Sequence, residues 1–218
     1  MKQESQLLYA AWCGDTRRVQ ELLAQGIPVD SRDGKGRTPL MLAAYNRFPE
    51  TAAVLLAAGA DTQARNKGNR PVIDYVHDAA TARLLLQHTH QERRRATATR
   101  LLFNQRELAA LALEAGAGVN ARNKRGDTPL IYHCWDCGFY NASLDTIQLL
   151  LQAGANPNHC NSHGHTPLLM ALWTYNESMV RLLLAAGACR LPENTELTPS
   201  EKELLRLCAA DSSDRLRG

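Results

Sequence analysis

The stretch "NKRGDTPLIY", residues 123–132, combines a tight turn with the start of a helix. Gly126-Asp127 is typical of a hairpin tip. In Thr128-Pro129-Leu130 the threonine can cap free amides, and the proline fits the first helical turn. The same wording returns as "GKGRTPLML" at 34–42 and as "SHGHTPLLM" at 162–170. Three copies of one turn and helix start predict a chain built from repeated structural units.

A second phrase sets the period of the repeat. Helix-like runs rich in Leu and Ala end in a glycine that suits a left-handed helix cap, at Gly26, Gly59, Gly116, Gly154 and Gly187. These glycines are spaced by 33, 57, 38 and 33 residues. A 33-residue period with a Thr-Pro-Leu helix start resembles the ankyrin-repeat family, over roughly residues 5–190.

The resemblance implies an all-α ankyrin-repeat solenoid of about six helix-turn-helix units with short hairpin fingers and a C-terminal capping helix. One such unit cannot bury its own apolar face, so the units share a core. We expect a single domain over residues 1–210, with a flexible tail at 211–218. Its units are predicted near 5–37, 38–69, 70–92, 93–127, 128–165 and 166–197, followed by a cap at 198–210.

Two spacings depart from the 33-residue period. The 57-residue gap predicts that the finger after the third unit is deleted and that the fourth unit lacks the Thr-Pro-Leu start. The third unit starts with the weakened wording Arg70-Pro71-Val72. The 38-residue gap predicts an insertion within "CWDCGFYNASLD", at the turn between the two helices of the fifth unit.

Composition limits the classes of partner. The net charge is only +3, and no apolar run is long enough to cross a membrane, so we expect neither a nucleic-acid nor a membrane partner. No signal peptide is recognised at the N-terminus. The six cysteines do not recur at one repeat position, which favours reduced thiols in a cytoplasmic protein. We expect no cofactor, and the oligomeric state is not predicted.

Aromatic residues mark a candidate binding surface. The resemblance implies that a partner binds the concave face, made by the fingers and first helices. The position after the small pair of each first helix is aromatic in most units, and all three tryptophans of the chain occupy it. The candidates are Trp12, Tyr45, His77, Trp135 with its neighbour Asp136, and Trp173. Hot spots of binding are rich in Trp and Tyr. The alternative is that these rings fill gaps between helices.

The fingers supply the second set of candidates. Their cations are the nine residues Arg32, Lys35, Arg37, Arg65, Lys67, Arg70, Arg122, Lys124 and Arg125, and the acids Asp33 and Asp127 lie among them. Arg93, Arg94 and Arg95 add positive charge in the middle of the chain. A basic rim of this kind would steer an acidic protein partner toward the binding face. The alternative is an ordinary solvated surface.

The function predicted from these features is non-enzymatic protein binding, either as an adaptor or scaffold, or as an inhibitor or immunity-type protein. The alternative is a metal-dependent or thiol enzyme that uses the Cys/His cluster at 133–165. Cys134, Cys137, Cys160 and His163 loosely match the spacing of zinc ligands. Against this alternative, no phosphate loop, paired carboxylates or nucleophile elbow accompany the cluster.

Overall fold

Helices account for the regular secondary structure. The structure, a computed structural model, describes residues 3–104, 108–139, 144–189, 191 and 195–214; the side chains of residues 104, 136–139 and 209–214 lie outside this description. The all-α class predicted from the repeat is confirmed. The helices are α1 (Gln3–Cys13), α2 (Thr16–Ala24), α3 (Pro39–Tyr45), α4 (Pro49–Ala57), a 3-10 helix η1 (Val72–Tyr75), α5 (Ala79–His88), α6 (Gln91–Asn104), α7 (Ala109–Glu114), α8 (Pro129–Phe139), α9 (Leu144–Gln152), α10 (Pro167–Trp173), α11 (Glu177–Ala185) and α12 (Pro199–Asp214).

The repeated Thr-Pro-Leu wording starts helices as predicted. Each threonine lies just before the first helical residue, and its hydroxyl accepts a bond from the amide three residues later: Thr38 from Met41 and Thr166 from Leu169. Thr128 does the same at the start of α8. These bonds satisfy amides that the helix itself leaves without a partner. The threonines are buried, so the caps are part of the packed core.

The first compact unit comprises residues 1–117. Its helices pair along the chain and stack on the next pair: α1 packs against α2 and α3, and α3 packs against α4 and η1. α6 in turn packs against η1 and α7. The core of this unit is aliphatic, as the Leu- and Ala-rich composition predicts. Its largest fully buried side chains are Leu7, Leu22, Leu40, Met41, Leu55, Leu85, Leu101 and Leu102.

The second compact unit comprises residues 118–218. Within it, α8 packs against α9 and α10, and α10 packs against α11 and α12. Leu130, Ile147, Leu150 and Leu168 form its buried centre. None of the helices among the described residues is long and apolar enough to cross a membrane. The count of six units and the single-domain boundary at 1–210 stay predictions.

The third helix pair differs from the others at its start. Where α3, α8 and α10 begin behind a threonine, η1 begins behind Pro71, which has no side-chain acceptor to cap the turn. The first element of this pair is therefore a four-residue 3-10 helix instead of an α-helix. His77, expected on a first helix, lies in the extended segment after η1.

The predicted deletion and the predicted cap are both visible in the helix bounds. α5 ends at His88 and α6 begins at Gln91, which leaves no room for a finger between them. At the other end of the chain, Thr198 and Glu201 exchange bonds in a capping box at the start of α12. α12 continues to Asp214, so the helix extends past residue 210, where a flexible tail was predicted to follow. The insertion predicted between α8 and α9 lies mostly outside the described residues.

Candidate functional site

Each finger is closed by one polar side chain. We number the fingers by the helix pair that they follow: finger 1 (28–37), finger 2 (61–70), finger 4 (118–127) and finger 5 (156–165). In finger 1, Asp33 Oδ1 accepts from the backbone amides of Lys35 and Arg37, at 2.9 and 2.8 Å. Asn66, Asn123 and Asn161 accept equivalent bonds in the other fingers. The turn is thereby fixed, and it holds the flanking charged side chains in a defined place.

An aromatic row lies on the first elements of residues 1–117. It consists of Trp12, Tyr45 and His77: Trp12 and Tyr45 stack with ring centres 6.0 Å apart, and the edge of His77 meets Tyr45 at 5.8 Å. Trp12 and Tyr45 are 40% and 51% exposed. The rings therefore touch one another and still present a large part of their surface to solvent, which does not fit the alternative of buried gap-fillers.

Two finger arginines stack on the aromatic rings of this unit. The guanidinium carbon of Arg37 lies 5.8 Å from the ring centre of Trp12, and that of Arg70 lies 5.2 Å from Tyr75. Both distances fit a cation–π contact. Arg37 is also paired with Asp33 at 2.7 Å. Burial acts to raise the pKa of Asp33, but the bonds from Arg37 and Lys35 outweigh it, so this pKa lies below its ordinary value.

The remaining cations of fingers 1 and 2 divide into two kinds. Arg32 connects the two fingers: its Nη1 donates to the carbonyl of Gly36 in its own finger and to that of Arg65 in the next. Lys35 and Lys67 are exposed, and neither is in an ion pair with a described residue. The lysines are thus free to act on a partner at a distance, while Arg32 has a structural role as well.

A separate aromatic group lies in residues 118–218. Trp135 on α8 and Trp173 on α10 are 47% and 40% exposed. The ring of His165 meets Trp173 edge-on at 5.0 Å and stacks with His163 at 5.7 Å. Burial lowers the pKa of His165 and the nearby His163 lowers it further, against an opposing effect of Asp127. The side chain of Asp136, beside Trp135, lies outside the described residues.

Finger 4 carries the cations of this second unit. Arg122, Lys124 and Arg125 are all exposed. Asp127, the last residue of the finger, is buried and accepts from the side-chain amides of Asn123 and Asn161. The Asp127 carboxylate is therefore bonded within fingers 4 and 5, while the three cations of finger 4 are exposed to solvent.

The cysteines and histidines of 133–165 do not assemble among the described residues. Cys134 is fully buried in α8, Cys160 is half-buried in finger 5, and His163 is exposed. Within those residues no group of three or more potential metal-ligating side chains is found. The side chain of Cys137 lies outside the described part of the chain. The metal site and the thiol enzyme remain an untested alternative.

Sequence reasoning missed Tyr75 and misjudged His165. Tyr75 is nearly buried and meets the edge of Tyr45 at 6.4 Å, so it supports the row from beneath. His165 was not among the candidate site residues, yet its ring contacts Trp173. A signal was present in the register: at the last finger position Arg37, Arg70 and His165 each contact an aromatic ring, while finger 4 has Asp127 there.

A cleft adjoins the aromatic row at its Trp12 end. Its volume is about 420 Å³, and its walls come from α1, finger 1 and Leu42 of α3. Tyr9 and Leu8 supply apolar surface, and Arg32 and Arg37 supply donors. This mixture of an apolar wall and a few directed polar groups is typical of a place where one side chain of a partner is accommodated.

Comparison with known proteins places the repeat in a family. The relatives are similar only over short segments. Oxysterol-binding protein-related protein 1 of Rattus norvegicus is 36% identical over 87 residues, 39% of this chain and 9% of that protein. The Mitochondrial disaggregase of Bos taurus and that of Homo sapiens are each 43% identical over 58 residues, which is 27% of this chain. The chain thus covers less than a tenth of the length of these relatives. The family model for ankyrin repeats matches residues 7–96 and 95–194, nearly the whole chain. The chain belongs to the ankyrin-repeat family.

Proposed function

We propose that this chain is a non-enzymatic protein-binding module, and that its partner docks on the exposed aromatic rings of the first helices. Ankyrin repeats are in general protein–protein interaction modules. The proposal adds the surface: the aromatic row of residues 1–117, and Trp135 and Trp173 in residues 118–218. Asp136 belongs to the proposal only as the neighbour of Trp135.

The observation that carries the proposal is the aromatic row. Trp12 and Tyr45 are stacked, with His77 against Tyr45, so binding would not have to order these side chains first. A surface that is rigid before binding loses little conformational entropy when a partner docks. Both large rings are also close to half exposed, which leaves apolar area to bury. Rigid, half-exposed Trp and Tyr side chains are the usual anchors of protein interfaces.

Charge supports an acidic partner. Lys35 and Lys67 are exposed on fingers 1 and 2, and Arg122, Lys124 and Arg125 give finger 4 its positive surface. Such charges act mainly on the rate of association and on the choice of partner, and salt screens them. Arg37 and Arg70 play a different part in this proposal, because they cover aromatic rings and present donors next to the apolar surface.

The biological role proposed is that of an adaptor or an inhibitor in the cytoplasm. In either role the binding surface is the same, and the roles differ in what happens to the bound protein. An inhibitor lowers the activity of its partner in a purified mixture, whereas an adaptor leaves this activity unchanged and brings a third protein into the complex. Measuring partner activity with and without the chain separates the two.

The test compares two exposed tyrosines. The full chain, its Tyr45→Ala variant and its Tyr175→Ala variant are used to capture partners from the native cell. Tyr175 is 56% exposed but is not part of the row. A partner bound through the row should bind Tyr45→Ala about 30-fold or more weakly, the scale of a hot spot, and bind Tyr175→Ala normally. Equal capture by all three proteins would contradict the proposal.

A further inference from the structure

The missing finger leaves one edge of finger 2 without a neighbour from this unit. Thr89 and His90 alone connect α5 to α6, so no hairpin follows the third helix pair. At the other joints, the next finger or its equivalent segment lies alongside and bonds to the preceding one. The hydrogen bonds at those joints indicate which bonds finger 2 could form. Within the described residues, finger 2 does not form them.

The bonds between consecutive fingers follow one pattern. A side chain near the start of each finger forms a hydrogen bond with the backbone of the next segment. Asp30 accepts from the amide of Asp61, and Asn158 accepts from the amide of Cys189 at 2.9 Å. The Asn158 amide also donates to the carbonyl of Gly187, at 2.8 Å. Asn120 makes the same pair of bonds to Asn156 and Gly154. This position therefore bonds to the main chain at the turn that follows the second helix of the next unit, where Gly154 and Gly187 have positive φ, and not to a particular side chain.

A second contact joins the finger tips. The backbone carbonyl of Lys35 accepts from the amide of Lys67, at 3.0 Å, and that of Arg125 accepts from the amide of Ser162, at 3.1 Å. The first contact thus holds the turn after the next second helix, and the second holds the tip of the next finger. The tip contact is the same kind of main-chain bond by which an extended peptide is added to an exposed edge.

Finger 2 has both groups in place. Gln63 occupies the position of Asp30, Asn120 and Asn158, and Gly68 occupies the position of Lys35 and Arg125. Among the described residues, neither the Gln63 side chain nor the Gly68 carbonyl has a hydrogen-bond partner. Beside the Gln63 end of this edge lies a cleft of about 590 Å³. It is lined by Leu56, Gly59, Ala60, Asp61, Thr62, Gln63, His88, His90, Glu92 and Arg93.

The charge around the open edge is positive. Finger 2 and the start of α6 together carry six exposed cations, Arg65, Lys67, Arg70, Arg93, Arg94 and Arg95. The acids of the same segments are Asp61 and Glu92. A segment that lies along this edge is therefore favoured when its own side chains are acidic.

We propose that the open edge of finger 2 and the adjoining cleft bind an extended, acidic segment of a protein partner, whose backbone takes the place of the missing finger. The Gln63 amide and the Gly68 carbonyl bond to the backbone of this segment, and the arginines of α6 contact its carboxylates. This site is separate from the aromatic row, and the inference does not depend on the row being a binding surface.

The experiment uses three synthetic peptides and the full chain. The probe is a fluorescein-labelled ten-residue peptide of alternating Thr and Glu, and its binding is followed by fluorescence anisotropy. The second peptide has the same sequence with every backbone nitrogen methylated, which keeps the carboxylates but removes the backbone donors. The third alternates Thr and Lys. The probe is expected to bind at least about tenfold more tightly than either comparison peptide, since each lost bond or charge pair weakens binding several-fold.

Variants then locate the bound peptide. Gln63→Ala and Arg93→Ala should each weaken probe binding by about three- to tenfold. The matched controls are Gln20→Ala and Arg17→Ala on α2, both exposed and outside the cleft, and these should bind the probe like the parent chain. Tyr45→Ala should also bind it normally, because Tyr45 lies in the aromatic row. Circular dichroism melting confirms that every variant is folded before binding is compared.

Several outcomes would overturn the inference. The probe and its N-methylated form binding equally, or no binding of the probe, would show that the edge does not recognise a backbone. Loss of binding in Tyr45→Ala but not in Gln63→Ala would assign the peptide to the aromatic row. Dimerisation of the free chain that Gln63→Ala abolishes would make a second copy the occupant. Full competition by a single-stranded oligonucleotide would make the site a nucleic-acid surface.

Discussion

An ion pair between η1 and α6 connects the two sides of the joint that lacks a finger. We therefore expect its removal to lower the free energy of unfolding. Asp74 on η1 is 8% exposed, and Arg100 on α6 binds it with two nitrogens; the Nη2–Oδ2 distance is 2.8 Å. The bond to Asp74 raises the pKa of Arg100, against an opposing effect of burial. The pair connects the third helix pair to the fourth at the joint that no finger crosses.

Removing the two partners should have unequal effects. Arg100→Met removes the two-nitrogen partner of a nearly buried carboxylate, which among the described residues still has Arg70 at 4.0 Å. We expect the free energy of unfolding to fall by about 2–4 kcal/mol. This is at or below the usual cost of breaking a buried ion pair, because the Arg100 side chain is 45% exposed. Asp74→Asn keeps the shape of the side chain and leaves the Arg100 guanidinium where water can reach it. We therefore expect this variant to lower the free energy of unfolding by about 1 kcal/mol.

The assay is urea unfolding followed by circular dichroism, combined with amide hydrogen exchange of α6. Arg181→Met is the control, because its partner Glu177 is exposed and a surface pair contributes less than about 1 kcal/mol. Exchange in α6 should accelerate in Arg100→Met and stay unchanged in the control. The reasoning is refuted if Arg100→Met costs no more than Asp74→Asn, or if exchange in α6 does not respond.

Three further predictions concern residues 118–218. Trp173→Ala should lower the free energy of unfolding by about 1–2 kcal/mol, less than Leu168→Ala at about 2–5, because the tryptophan is 40% exposed and the leucine is buried; urea midpoints compare the two. The pKa of His165 is lowered in the fold, so the unfolded chain takes up its proton first, and stability should fall as the pH drops below about 6.5. His165→Asn should flatten this dependence in melts between about pH 7 and pH 5, and an unchanged slope would contradict the assignment. Gly126→Ala should lower the melting temperature more than Gly116→Ala. Both glycines have positive φ, but a Cβ at Gly126 would lie 2.8 Å from Ser162 Oγ, while a Cβ at Gly116 would have no atom within 4 Å. Equal melting temperatures for the two alanine variants would contradict this contact.

The features that repeat were predictable from the sequence, because each repeats a physical requirement. A threonine before a proline caps a helix wherever it occurs, so Thr38, Thr128 and Thr166 predicted three helix starts. The deletion of a finger followed from the spacing alone. The position of the exposed aromatics followed from register, since Trp12 and Tyr45 fall at the same place in successive units.

What could not be predicted depends on contacts between residues that follow no period. Asp74 and Arg100 are 26 residues apart, and nothing in their local sequence marks them as partners. The 3-10 helix η1 depends on a proline at a capping position, which the register of the weakened wording did not reveal. Arg32 was assigned to a binding rim from its charge, whereas its geometry also makes it a link between two fingers.

The same deletion that weakens one joint also creates a candidate site. In a repeat protein each unit is stabilised chiefly by its neighbours, so a missing finger removes bonds on both sides of the gap. On the η1 side the loss is offset by the pair of Asp74 with Arg100, which uses side chains instead of backbone. On the finger 2 side the polar groups that would have met the missing finger are left at the surface next to a cleft. Gly68 is exposed and Gln63 is half-buried, so water satisfies these groups until a bound segment replaces it. A three-residue version of the probe peptide should therefore bind far more weakly than the ten-residue form, because it is too short to contact Gln63 and the Gly68 carbonyl at the same time. Equal affinity for the two lengths would limit the contact to one end of the edge and would count against replacement of a whole finger.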